Sequence, residues 1–408
     1  MAQNILINDL PLEIFIKILK EVDGVSLGKC RRVCKKWRDG IDGSDQIWHE
    51  VCRKEFKHSS EIAKRKAGNI CRWYHIYKNL KMWIDITTFD KKVREFYKFS
   101  LHDKSHALDV DYGVLPLKDA KGVVFYDMSN LKYIPVAISE TNCCKVTNND
   151  HVSVILTKTG LYVQKCVDSN GVTEGFFKAE NFVLSGEVIY FHNGRDVYKI
   201  DLTLDNITSK LITLCNYNIK EIQYCDGILH LFTTCGKIIN ITNNYEITEK
   251  PINCPIEWVK HLKNICAIND HNFVCYSRNL FKLDTDKYHH LYLEFPTITA
   301  LFFYADVVLL GTRAGELLLY RLSSQKKGPM SRPIFDTLAI LPEGKFAVQL
   351  DVCERKNGPL IIASTFFEII LVEYDFFPHE QEPKCSFPVN KLTMYKRLLR
   401  LKDRLQSS

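Results

Sequence analysis

Polar and apolar positions along this chain follow two different periods, and the change falls near residue 85. Ahead of it the spacing is helical. Leu10, Ile14, Ile18 and Val22 recur every fourth position, Phe15 and Leu19 widen the stripe, and Asn8 or Asp9 stands ready to cap a helix with Pro11 in its first turn. Asp23-Gly24 ends that helix. A second is expected from Ser26, with Leu27, Cys30, Cys34, Trp37 and Ile41 along one face, Val33 beside them, and Lys29, Arg31, Arg32, Lys35, Lys36 and Arg38 on the other. Gly40 and Gly43 turn the chain toward a third helix carrying Ile47, Trp48, Val51, Cys52 and Phe56, and an aromatic helix follows with Trp73, Tyr74, Ile76, Tyr77, Leu80 and Trp83. Three helices in about 40 residues bury too little apolar surface to be stable alone. Such a segment is built to be completed by a partner.

Beyond residue 85, short runs of Val, Ile, Leu, Phe and Tyr pair across Gly or Asn turns, the signature of hairpins. Val152–Leu156 and Leu161–Val163 flank Thr159-Gly160; Val188–Phe191 and Val197–Ile200 flank Asn193-Gly194; Ile228–Phe232 and Lys237–Ile241 flank Cys235-Gly236. Taking one turn residue per unit (130, 160, 194, 236, 279, 315 and 366) gives a mean spacing of about 39 residues. A hairpin repeated at that period reads as one blade of a β-propeller, and seven hairpins argue for six or seven blades, because the first or last unit can belong to a blade shared by the two ends of the chain. A β-sandwich or barrel is the alternative, but about 290 residues of regular units exceeds what a sandwich needs.

The order of particular residues narrows the function. Leu10-Pro11-x-Glu13-Ile14, then Leu27, then Val33-Cys34-x-x-Trp37-Arg38, then Ile47-Trp48 resemble the F-box, through which substrate receptors dock onto the Skp-family adaptor of cullin-RING ubiquitin ligases. The resemblance covers about one tenth of the chain, plus the aromatic extension at 70–83. It departs mildly: Ile47 precedes the Trp where the family usually has Leu, and Val22 stands where Leu is commoner. The resemblance implies that Leu10, Pro11, Ile14, Leu27, Val33, Cys34 and Trp37 contact the adaptor or directly support those contacts. It also makes a C-terminal propeller expected, since F-box proteins with propellers form a recognised architecture. The hairpins lack the Gly-His and Trp-Asp dipeptides of WD repeats, although Thr157–Val163 and Thr312–Leu317 resemble the inner hairpin of a WD blade; the repeats are therefore WD-like. The fold class is an α+β multidomain chain: F-box over 5–52, helical linker over 53–86, all-β propeller over 87–383, and a basic amphipathic helix over 384–408.

Charge sharpens this division. Residues 1–100 hold 21 basic against 13 acidic residues, 101–383 hold 27 against 34, and 384–408 hold 7 against 1. The basic residues of the first segment are interleaved with carboxylates, which favours a solvated helix surface over a nucleic-acid or membrane contact. The C-terminal stripe of Leu392, Tyr395, Leu398, Leu399, Leu401 and Leu405 fits packing onto the acidic propeller or the N-terminal helices more simply than a membrane or a calmodulin-like groove.

The 15 cysteines are odd in number and scattered, with no pair at zinc or redox spacing, and read as reduced, buried thiols. No signal peptide or membrane-length apolar run is read, so the expected compartment is cytosol or nucleus. No esterase elbow, zinc-protease pair or phosphate loop appears, and the chain is expected to be a non-catalytic subunit without metal or cofactor. Its expected partners are the Skp-family adaptor, through it a cullin-RING ligase, and a protein substrate, with no nucleic acid or membrane. Arg195, Arg278 and Arg313 lie at or beside successive tight turns and are candidate substrate contacts for a phosphorylated or acidic segment. The body's acidity argues instead for a basic substrate. A non-catalytic propeller scaffold for protein, membrane or RNA assembly, without a ubiquitin role, is the alternative function.

Overall fold

The computed structural model describes residues 11–374 except 58, 68–70, 100–105, 108, 120–121, 139–142, 149–151, 168–170, 226, 253–258, 260–262, 269–272, 278–279, 285–288, 293–295, 323–333 and 343. Leu10, Arg278 and the C-terminal amphipathic stripe lie outside the described residues.

Six helices come first: α1 (Leu12–Leu19), α2 (Gly24–Cys30), α3 (Lys35–Gly43), α4 (Asp45–Glu55), α5 (Ser59–Ala67) and α6 (Trp73–Ile84). The single helix expected over 26–41 is two. Asp23, not Ser26, caps the first by accepting from the Ser26 N–H at 2.9 Å, and Cys34 is extended at φ −159°, ψ 170° just before α3. The break follows from what must be buried. Leu27 and Ile41 are both fully buried in one cluster, whereas a straight helix would carry them about 21 Å apart. Arg31 holds the bend as a fork on Asp42, with Nη2 2.7 Å from Oδ2.

The remaining strands form seven four-stranded antiparallel sheets, the blades of a propeller. Numbered in chain order, blades 1–6 span 106–138, 143–177, 181–214, 219–251, 263–292 and 298–340. Blade 7 takes three strands from Gln349–Arg355, Gly358–Ser364 and Glu368–Tyr374, and its outermost strand from Lys91–Lys98, which pairs Val93 with Val372 and Lys98 with Glu368. The last blade is thus shared between distant parts of the chain, which closes the ring.

Six of the seven turns used for the repeat fall between the second and third strands of a blade. The first does not: Ser129-Asn130 joins the third and fourth strands of blade 1, and the equivalent turn lies between Val114–Asp119 and Gly122–Asp127. A C–D hairpin and a B–C hairpin look alike in sequence, because both alternate and both turn tightly. The long last step arises between Arg321 and Asp336, within blade 6. Two turn glycines are required by the backbone: Gly236 and Gly315 have φ of +81° and +86°, and a Cβ on Gly315 would lie 2.6 Å from the Lys345 carbonyl.

Helices and propeller share one core. The cluster that includes Leu27, Ile41 and Trp48 runs on through Ile76 and Trp83 to Tyr304, Leu338, Val352 and Tyr374. The helices dock on the face where first strands turn into second strands, since Trp83 packs 5.4 Å from Tyr304 and Asn79 Nδ2 donates to the Arg355 carbonyl at 2.8 Å.

Candidate functional site

The helical end presents an apolar face. Pro11 precedes α1 with φ −54°, and Ile14 and Ile18, one turn apart, are each 42% exposed while Phe15 and Leu19 point inward. Val33, in the bend between α2 and α3, is 64% exposed, and Val25 is 56% exposed. Cys34 and Trp37 are half-buried, the Trp37 ring meeting Phe15 edge-on at 5.1 Å. Leu27 is wholly buried. Of the residues singled out from sequence, Pro11, Ile14 and Val33 are therefore open to a partner, Trp37 and Cys34 sit between surface and core, and Leu27 supports the others from beneath. Ile18 and Val25 were not singled out as contacts. Ile18 was legible, because it follows Ile14 at helical spacing on the side away from Phe15 and Leu19.

The face is held from behind. Trp48 Nε1 donates to the Ile41 carbonyl at 2.9 Å, and its ring lies 5.1 Å from both Tyr74 and Tyr77. Glu55 accepts from the Gly24 N–H at 2.7 Å and from the Tyr77 hydroxyl at 3.2 Å, and pairs with Lys81 at 2.9 Å. Burial pushes its pKa up, but the bonds from Lys81 and Gly24 outweigh this and hold it below the ordinary range.

Two buried carboxylates then fasten the helices to the propeller. Glu354, on the innermost strand of blade 7, accepts from Asn79 Nδ2 and Trp83 Nε1 at 2.7 Å each and from the Tyr304 hydroxyl. Burial raises its pKa against the pull of these donors. Asp351, three residues earlier, pairs with Lys66 of α5 at 2.8 Å and accepts from the Val110 N–H at 2.6 Å. Lys66 also donates to the Val110 carbonyl at 2.6 Å, and although burial lowers its pKa, the surrounding aspartates hold it above the ordinary lysine value.

The propeller axis encloses a cavity of about 1150 Å³. Ile62, Arg65 and Lys66 of α5 line it on the helical side; Thr297, Arg313, Phe346 and Phe366 line it on the face of the second-to-third-strand turns. The candidate arginines do not converge. Arg195 and Arg313 share that face but sit on blades 3 and 6, with Arg195 Nε donating to Asn218 Oδ1 at 3.0 Å and Arg313 at the cavity. Lys145 and Lys220, on the innermost strands of blades 2 and 4, line the cavity and were missed from sequence, because hairpin patterning does not distinguish an inner strand from an outer one. His230 serves structure: its Nδ1 meets Asn240 Oδ1 at 2.9 Å inside blade 4.

Comparison with known proteins decides the helical end: residues 7–54 match the F-box-like family model. The chain carries an F-box-like domain ahead of a seven-bladed propeller. No curated protein matches the chain. Solved structures similar to it include a streptogramin B lyase (13% identity, 70% of this chain and 98% of that one, TM-score 0.48). Others are the β-propeller domain of Cps50 (Swd1) from Myceliophteria thermophila (12%, 69% and 99%, 0.47) and Hsv2 from Kluyveromyces lactis (12%, 64% and 90%, 0.44). The F-box-like segment spans α1 to α4, so α5 and α6 are the connection between it and the ring. F-box and propeller modules typically bind other proteins rather than catalyse, and F-box domains generally bind Skp-type adaptors.

Proposed function

We propose that this chain is the substrate-recognition subunit of a Skp-cullin-F-box type ubiquitin ligase, docking the adaptor through the F-box-like helices and a protein substrate through the propeller. The observation that carries the reading is the pairing of an exposed apolar face, Ile14, Ile18 and Val33, with a buried anchorage of the same helices on blade 7. Exposed apolar side chains gathered at one end of a domain mark a surface that a partner can cover. The anchorage fixes the direction in which a substrate on the propeller faces the adaptor, which is what a ligase receptor must supply. Transfer of ubiquitin belongs to other subunits in this scheme, and the expected location is cytosol or nucleus.

The test is binding of the purified full-length chain to a purified Skp-family adaptor. Ile14→Asp with Val33→Asp, both at exposed positions, is expected to abolish binding without lowering Tm, and Leu10→Ala with Pro11→Ala to do the same. Unchanged affinity in both double variants overturns the assigned face. Failure of the parent chain to bind any such adaptor favours a scaffold without a ubiquitin role.

A further inference from the structure

The bend between α2 and α3, where Val33 stands exposed, carries charge of one sign. Between Asp23 and Asp39 the chain holds six cations and no carboxylate. The helical segment as a whole interleaves its charges, and α1 with the residues just after it keeps that alternation in Glu13, Lys17, Lys20 and Glu21. Of the six cations, Arg31 is taken up inside: it forks onto Asp42, with Nη2 2.7 Å from Oδ2, and lies 4.4 Å from the centre of the Tyr74 ring. The other five face solvent. Lys29, Arg32, Lys35 and Lys36 are exposed, and the Arg38 side chain is 54% exposed beside Asp39 at 3.9 Å. Among the described residues no carboxylate pairs with Lys29, Arg32 or Lys35.

The fold itself does not call for these charges. Lys35 and Lys36 stand in the first turn of α3, where the helix dipole favours acids, and that turn has none. Lys35 and Arg38, three apart on the same helix, repel each other. Cations that work against the helix carrying them answer to something outside the chain. The apolar side chain between them points the same way: Val33, 64% exposed, has Arg32 on one side and, past Cys34, Lys35 and Lys36 on the other. The docking face therefore has an apolar centre and one positive edge.

We propose that the protein covering Ile14, Ile18 and Val33 bears a row of carboxylates opposite Lys29, Arg32 and Lys35, so that charge both speeds its approach and sets which way round it lies. An apolar core with a polar rim is the usual plan of a protein interface. Rim charges of opposite sign raise the on-rate and fix register more than they add affinity. A partner turned end for end would set its carboxylates against the mixed charges of α1 and lose that gain. Nucleic acid would use the cations but leave the apolar centre uncovered, which favours a protein. The inference rests on the receptor reading above and names the chemistry of the adaptor surface that meets this edge.

The test measures association and dissociation rates of the full-length chain with a purified Skp-family adaptor between about 0.01 M and about 1 M salt, over which the screening length falls from about 30 Å to about 3 Å. Association is expected to slow as salt rises, while dissociation changes little. Arg32→Glu with Lys35→Glu is expected to slow association at least roughly tenfold at low salt and to flatten the salt dependence. Tm should hold, since both sites are exposed and Lys35→Glu places a carboxylate where the dipole of α3 favours one. Lys158→Glu with Lys178→Glu, exposed on the propeller and equal in charge change, is expected to leave the rate within roughly twofold. A rate independent of salt, or equal slowing by the two double variants, overturns the proposal and leaves the ligase reading standing. Failure of the parent chain to bind the adaptor defeats the ligase reading, and this inference falls with it. Binding of single-stranded RNA that needs Arg32 and Lys35 but survives Ile14→Asp with Val33→Asp assigns the cations to nucleic acid and also overturns the proposal.

Discussion

Trp83 of α6 and Glu354 of blade 7, 271 positions apart in sequence, meet through an indole N–H donated to a buried carboxylate oxygen at 2.7 Å. With Asn79 and Tyr304 on the same carboxylate, the helices and the ring are fastened by a group that is costly to bury unless every donor is present. Glu354→Gln presents an amide NH2 where one of three donors needs an acceptor. It is expected to lower stability by about 2–4 kcal/mol in urea or guanidinium unfolding. A loss below the error of the measurement would mean that the carboxylate does not hold the junction.

A contact at the helical end allows a steric test. A Cβ on Gly24 would fall 2.1 Å from the Tyr77 ring, which is itself fixed by Trp48 and Glu55. Gly24→Ala is expected to destabilise by about 1–3 kcal/mol, and Tyr77→Leu to recover part of that loss in the double variant. Additive losses would show that the ring is not the obstacle.

Leu27 and Val33 separate support from contact. Leu27 is fully buried and Val33 is 64% exposed. Leu27→Ala should cost about 2–5 kcal/mol, whereas Val33→Ala should stay within about 0.5 kcal/mol while weakening adaptor binding. Titration of the adaptor against each variant, beside its melting curve, distinguishes the two roles.

Acid should loosen the junction. Burial, together with Lys356, Lys78 and Arg72, pushes the His75 pKa down from 6.5 to about 4, and burial lowers that of His192 as well. Between those values the unfolded chain binds more protons than the folded one, so the stability present above about pH 6.5 falls as the pH drops toward 4. Unfolding midpoints collected across this interval are expected to decline, and His75→Gln to flatten the decline. An unchanged slope in that variant assigns the effect elsewhere.

Closure of the ring can be tested by truncation. Lys91–Lys98 supplies the outermost strand of blade 7, so a chain beginning after residue 98 leaves Glu368–Tyr374 as an open edge. Such a chain is expected to self-associate in size-exclusion chromatography, whereas the full chain does not. A monodisperse truncated protein would show that the shared strand is dispensable.

Much of this architecture was readable from local pattern. Ile14, Phe15 and Leu19 gave α1 and its two faces, and the Gly160, Gly194, Gly236 and Gly315 turns gave the blade period. The rest depends on residues far apart in sequence. Ser129-Asn130 carried the turn signal of a hairpin without saying which pair of strands it joins. Cys34 broke a helix that its neighbours' spacing supports, because burial of Leu27 and Ile41 together outweighs helical continuity. Glu354 and Asp351 looked like polar positions of an ordinary strand, and only their partners on α5 and α6 make them anchors. Arg195 and Arg313 shared a turn position but not a neighbourhood, which the curvature of the ring decides; Lys145 and Lys220 were concealed because an inner strand carries no local mark of its place.

The shared blade also sets a schedule for synthesis. Lys98 leaves the ribosome about 270 residues before its partner Glu368, a delay of roughly 14–54 s at about 5–20 residues per second. Until then α5 and α6 lack Asp351 and Glu354, and the F-box-like helices lack the support behind their apolar face. A nascent chain, or one cut short before blade 7, therefore lacks that support, and the anchored setting of the helices is acquired only once blade 7 has been made.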